Sequence, residues 1–131
     1  MDPSESPSHA VRTPDEAAAL LAPLFADAGG EMLAVLHLDA ARRPIELTSY
    51  EGGPDEVELP LRAILIDALR LGSEALVIAH NHPSGDPEPS EGDLEATREL
   101  VDTARRLAIE VEDHLIFAGG ATLSLRALGL L

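Results

Sequence analysis

The feature that most restricts how this chain can fold is a junction near its centre. There the apolar run Ala75-Leu76-Val77-Ile78-Ala79 passes without a break into His80-Asn81-His82. The run is short, partly β-branched and preceded by Gly72-Ser73, which predicts a buried strand. Beyond the histidines, Pro83-Ser84-Gly85-Asp86-Pro87-Glu88-Pro89 makes a proline-stiffened loop. Leu94, Thr97, Leu100, Val101, Ala104 and Leu107 then recur at three- and four-residue steps, predicting a helix with one buried face. A strand therefore delivers histidines to a loop whose far side is the start of a helix.

The rest of the chain can be placed around that junction. Thr13-Pro14-Asp15-Glu16 offers an N-cap, a proline at the first helical position and a glutamate at the third. Leu20, Leu21, Leu24 and Phe25 are the expected apolar face of this first helix; Pro23 predicts a kink or two shorter pieces, and Gly29-Gly30 ends it. Residues 31–39 read as an interior strand that turns through 40–44 into a second strand, 45–50, as an antiparallel hairpin. A loop at 52–55 and a short strand at 56–60 lead to a helix over 61–71, with Leu61, Ile64, Leu65, Ala68 and Leu69 inward and Gly72 as its stop. After the long helix, 109–111 and 114–117 are strand-like, Gly119-Gly120 turns, and 122–125 is a further strand. Residues 1–12 read as a flexible tail and 13–131 as a single domain. A chain of 131 residues suffices for one core, and helices mixed with a sheet, an α/β fold of mixed α+β character, is the simplest architecture.

Charge narrows the partners. Nine basic residues, all arginine, stand against 24 acidic ones, for a net charge of −15. Such a surface repels phosphate, and Phe25, Tyr50 and Phe117 are too few for a base-stacking platform, so direct nucleic-acid binding is disfavoured. With no cysteine, thiol catalysis and iron–sulfur chemistry are excluded. No signal peptide or membrane-spanning stretch is visible, and the expectation is a soluble, cytoplasmic protein; monomer and homodimer both stay open.

Side chains two apart on a strand share a face, so His80 and His82 can present two imidazoles to one point. Asp93, third after Ser90 in the first turn of the next helix, can turn its carboxylate back towards the loop. Two imidazoles and one carboxylate leave one position of a tetrahedral zinc site open, which is the arrangement of catalytic zinc. Ser90-Glu91-Gly92-Asp93 is equally an ordinary capping sequence, and a lone strand-end histidine is more often structural. The combination, not any one residue, points to metal.

The stretch from His80 to Asp93 resembles the JAMM (JAB/MPN) metalloprotease motif, H-x-H-x7-S-x2-D, in its RadC-like form, with seven residues between His82 and Ser90. The resemblance runs over residues 31–131 and includes the helix at 61–71, Thr97-Arg98-Glu99-Leu100, Asp113-His114-Leu115-Ile116-Phe117 and Ser124-Leu125-Arg126. It implies a single JAB/MPN domain, a mixed curved sheet packed with helices and similar to the cytidine-deaminase fold. It further implies one zinc per chain on His80, His82 and Asp93, with Ser90 holding the oxyanion and Glu31 as general base. The implied activity is that of a zinc metallopeptidase or isopeptidase acting on a protein or peptide. His37 shares the strand face of Glu31 but lies six residues, about 20 Å, along it, and is expected to be structural. Asp113-His114 matches a family pair for which the proposed site leaves no ligand position, so a supporting or packing role is expected.

Other zinc hydrolases fit less well, because neither His-Glu-x-x-His nor the cysteines of the zinc deaminases are present. Two further readings stay open: a catalytically silent JAB/MPN binding module, and a DNA-repair-associated RadC-like protein acting through a partner. The 30 residues before Glu31 are too few for the helix-hairpin-helix region of full-length RadC-like proteins, which together with the acidity sets the expectation against DNA.

Overall fold

The computed structural model describes residues 9–26, 28–51 and 59–131. Three helices and five strands follow in the order α1 (Pro14–Ala26), β1 (Met32–Leu38), β2 (Pro44–Glu51), α2 (Leu61–Leu71), β3 (Ala75–Asn81), α3 (Glu91–Arg106), β4 (Glu110–Ala118) and β5 (Ala121–Ser124). The strands form one mixed sheet in the order β2-β1-β3-β4-β5. Only the β3/β4 pair is parallel; β1 pairs antiparallel with both β2 and β3, and β5 antiparallel with β4. A parallel step needs a crossover connection, and the Pro-rich loop plus α3 supply it. The histidine stretch thus leaves the carboxyl end of β3 at the mouth of that crossover, where open α/β sheets place their ligand sites.

The pleat sorts the core into two layers. Leu33 and Val35 of β1 and Leu76 and Ile78 of β3 pack with Ile64, Leu65 and Ala68 of α2 and with Leu100 and Ala104 of α3. Ala34, Leu36, Leu38, Ala75, Val77 and Ala79 face the other way, against Ala17 and Leu21 of α1. With both faces covered, β1 and β3 are buried almost throughout, whereas edge strand β2 is largely exposed. His37 and His80 fall on the α2/α3 face of the sheet, at opposite ends of the β1/β3 ladder.

Several expectations are corrected. α1 is one helix rather than two shorter pieces, although Pro23, lacking an N–H, forfeits the bond to Ala19 O. Leu20, Leu69 and Leu107, expected inward, are 49%, 56% and 41% exposed. The buried stripes are narrower, with Ala17 and Leu21 on α1 and Ile64, Leu65 and Ala68 on α2. The two expected strand pieces at 109–111 and 114–117 are one strand, β4, because Glu112 is bulged out between the pairs Leu76–Val111 and Val77–Asp113. Val11, placed in the tail by composition, is buried against the α1 layer and donates its N–H to Arg42 O at 2.8 Å. The expected loop at 52–55 and most of the short strand at 56–60 lie outside the described residues. Gly72 does cap α2, in the left-handed conformation with φ 70°. Among the described residues no helix is long and apolar enough to cross a membrane.

Candidate metal centre

Three side chains converge where β3 ends and α3 begins. His80 Nε2 and His82 Nε2 are 2.9 Å apart, and Asp93 Oδ2 lies 3.7 Å from the first and 3.3 Å from the second. His80 is buried, while His82 and Asp93 are half-buried. Among the described residues these three form a group able to hold a metal ion.

Hydrogen-bond accounting fixes which ring nitrogens are free. Thr97 Oγ1 lies 2.7 Å from the carbonyl oxygen of Asp93, which can only accept, so the single hydroxyl proton is spent there. Thr97 Oγ1 must then accept from His114 Nδ1, also at 2.7 Å, which makes His114 Nε2 the unprotonated nitrogen of a neutral ring. His114 Nε2 accepts in turn from His80 Nδ1 at 2.6 Å, leaving His80 Nε2 with a bare lone pair. His82 reaches the same state more simply, since its Nδ1 is 2.7 Å from Asp86 O and must donate to that carbonyl. With both rings neutral, the two Nε2 atoms turn lone pairs on each other at 2.9 Å, a contact that a shared proton or a bound metal ion would relieve.

Electrostatics agrees with this assignment. Burial, followed by the nearness of His80, pushes His114 down to about 3, so it stays neutral and able to accept. Burial alone would raise the Asp93 carboxyl, but the nearness of His80 and the backbone N–H of Ser90 outweigh it and hold Asp93 well below its ordinary value. With the rings in the tautomers that the hydrogen bonds assign, the site presents two imidazole nitrogens and one carboxylate. A tetrahedral ion with bonds of 2.0–2.1 Å would separate its ligand atoms by about 3.3–3.4 Å, close to the spacings found here.

The capping arrangement and the metal arrangement turn out to be one structure. Ser90 is the N-cap of α3, its Oγ accepting from Asp93 N at 3.0 Å, while Ser90 N donates to Asp93 Oδ2 at 2.9 Å. The reciprocal cap aims that carboxylate, and the same Oδ2 faces both histidines. Ser90 Oγ uses only acceptor capacity in this cap, so its own proton remains to donate. Glu31 lies just before β1, next to the last β1/β3 pair, Leu33–His80, and its Oε2 is buried without a hydrogen-bond partner. The floor beside the histidines is formed by Leu33, Leu59, Gly92 and Ala96.

Of the residues singled out in the sequence, His80, His82 and Asp93 are brought together with Ser90 beside them, and His37 is kept apart. His37 is fully buried and bonded to Ser73 Oγ at 2.8 Å and Thr48 Oγ1 at 2.9 Å. His114 supports His80 directly. Asp113 does something else: it accepts from Ser124 Oγ and Arg126 N and so ties the segment after β5 onto β4. Sequence reasoning missed Thr97, which it counted among the packing positions of α3; a threonine in a buried helical stripe was the available signal. It also passed over Asn81.

Comparison with known proteins agrees with the fold and the motif. Residues 11–130 match the family described as RadC-like JAB domain. The chain is 39% identical over 121 residues to a UPF0758 protein of Chloroflexus aurantiacus, an alignment covering 92% of this chain and 53% of the relative. It is 36% identical over 122 residues to a UPF0758 protein of Salinibacter ruber, with 92% and 52% covered. For one from Symbiobacterium thermophilum the identity is 40% over 112 residues, covering 85% and 48%. The chain spans about half the length of these curated relatives, whose names state no activity. It belongs to the RadC-like JAB domain family.

Proposed function

We propose that this member of the RadC-like JAB family is a zinc-dependent hydrolase that cleaves a peptide or isopeptide bond in a protein or peptide substrate. The observation that carries the reading is the convergence of His80 Nε2, His82 Nε2 and Asp93 Oδ2, 2.9, 3.7 and 3.3 Å apart, as a group able to hold a metal ion. Zinc suits two imidazoles and a carboxylate, and when bound it would act as a Lewis acid that lowers the pKa of water to about 7. His80, His82 and Asp93 would hold it, leaving one position for water or substrate.

The chain's own residues then divide the work. Glu31, with one buried and unpartnered carboxylate oxygen, takes a proton from the attacking water as its oxygen adds to the carbonyl carbon. Ser90 Oγ donates its free proton in a hydrogen bond to the oxyanion. Glu31 gives the proton to the leaving amine as the C–N bond breaks, so the carboxylate is regenerated. The net charge of −15 and the absence of lysine favour a protein or peptide over nucleic acid as the partner.

The test combines metal stoichiometry with hydrolysis of peptide and isopeptide-linked substrates. Glu31→Gln is expected to keep zinc and lose turnover by a factor on the order of 10²–10⁴. Retained hydrolysis by that variant would sink the general-base role. Stoichiometric zinc without cleavage of either substrate class by the wild type would favour a silent binding module instead.

A further inference from the structure

We propose that Asn81, the residue between the two metal-binding histidines, is a positioning residue for Glu31; this deepens the hydrolase reading and rests on it. The pleat sends Asn81 to the sheet face opposite His80, away from the metal ligands, so the middle residue of the histidine pair has no place in the coordination. Its side chain instead reaches β1. Asn81 Oδ1 accepts from Met32 N at 2.8 Å, and Asn81 Nδ2 donates to Gly30 O at 2.9 Å. Glu31 is the residue between those two backbone groups.

Three observations make this more than a strand-end tie. Regular pairing between β1 and β3 stops at Leu33–His80, so on the β3 side no ladder bond holds residues 30–32, although Met32 is paired with Glu51 of β2 on the other side. The approach to Glu31 is itself loosely held, because a Cβ built at Gly29 or Gly30 would meet nothing within 4 Å, and glycine restrains its own backbone least. Finally, among the described residues the carboxylate so bracketed is the one with a buried, unpartnered oxygen. A primary amide carries the same donor and acceptor as a peptide unit, so Asn81 continues the sheet by one step with its side chain. The residue that separates the ligands thereby links the base to the ligand strand, and a shift of one moves the other.

The experiment uses the full chain loaded with zinc, in wild-type, Asn81→Ala, Asn81→Asp, Glu31→Gln and Asn81→Ala/Glu31→Gln forms. It reads hydrogen exchange at the Met32 amide, zinc affinity by chelator competition, and turnover of a pool of internally quenched peptides. Asn81→Ala is expected to expose the Met32 amide to exchange, leave zinc affinity unchanged, and lower kcat by roughly a hundredfold with KM unchanged, the scale of a 1 Å misplacement. Asn81→Asp keeps the acceptor for Met32 but loses the donor to Gly30, and should fall between. In the Glu31→Gln background, Asn81→Ala should cost nothing further. Wild-type kcat in Asn81→Ala beside an inactive Glu31→Gln overturns the positioning role alone, as does loss of zinc binding in Asn81→Ala. An active Glu31→Gln overturns the general-base reading and this inference with it. If the wild type cuts none of the pool, cobalt(II) in place of zinc supplies the readout. Asn81→Ala and Glu31→Gln should then shift the visible bands alike, and a wild-type spectrum for Asn81→Ala beside a shifted Glu31→Gln overturns the proposal.

Discussion

Two buried histidine networks lie on the same face of the sheet, and only one of them has chemistry left over. At one end of β1, His37 is bonded through both nitrogens to Ser73 and Thr48. The network continues from Thr48 to Tyr50, whose hydroxyl donates to Asp67 at 2.5 Å, and Asp67 pairs with Arg70. Burial above all, then the bond to Asp67, raises Tyr50 to about 12, so this network keeps its protons at physiological pH. At the other end of the β1/β3 ladder, His80 is bonded only through Nδ1 into the relay of His114, Thr97 and the Asp93 carbonyl, and its Nε2 meets another bare nitrogen. Burial and hydrogen bonding are common to both regions. The distinction is where the second nitrogen points: at His37 both nitrogens have hydroxyl partners, while at His80 and His82 the Nε2 atoms face each other and the Asp93 carboxylate, a group that could bind a metal ion.

The most direct way to break the comparison is to remove a ligand from one network and the centre from the other. His82→Ala should abolish zinc binding in a chelator competition, whereas His37→Gln should bind one zinc per chain with wild-type affinity. Acid is expected to act next most strongly on the metal-free protein. His114 and His37 both have folded pKa values lowered by burial, so the unfolded chain binds more protons and stability falls as pH drops below 6.5, for His114 down to about 3. Asp93, also lowered, adds a loss in the same direction as pH falls below 3.8. For His114 the expected slope approaches about 1.4 kcal/mol per pH unit between those limits, His37 adds to it in the same direction, and urea midpoints at several pH values measure it. Replacing either histidine by glutamine should flatten the slope.

Smaller changes sharpen the contrast. Thr97→Val leaves His114 Nδ1 without an acceptor and frees the relay to reverse, so zinc affinity should fall by about 10–100-fold while the fold persists. His37→Leu leaves Ser73 and Thr48 short of a partner and should cost about 1–3 kcal/mol in denaturant unfolding, with no effect on zinc. Leu69→Gln, at an exposed position of α2, should stay within about 0.5 kcal/mol of wild type.

How much was legible in the sequence varied with the range of the interaction involved. Local signals served well where the cause is local. The Thr13-Pro14 start, the left-handed Gly72 stop, the 61–71 helix and the hairpin of β1 and β2 each rest on neighbouring residues, and each is found. Periodicity overstated burial at Leu20, Leu69 and Leu107, because it gives the direction of an apolar stripe but not where the neighbouring layer ends. The bulge that joins the two halves of β4 depends on pairing with β3, so residues 109–117 alone could not reveal it.

The same division runs through the site. By itself the sequence determined the candidate metal group, since a two-residue strand step and a capping turn place His80 with His82 and Asp93 with Ser90 within fourteen consecutive residues. Only the tertiary structure decided which nitrogens are free, that Thr97 and His114 complete the support of His80, and that Asn81 holds the backbone around Glu31. The reason is physical. A tautomer is set by the partner of the other ring nitrogen, and here those partners come from α3 and β4, which reach β3 only when the parallel crossover has closed.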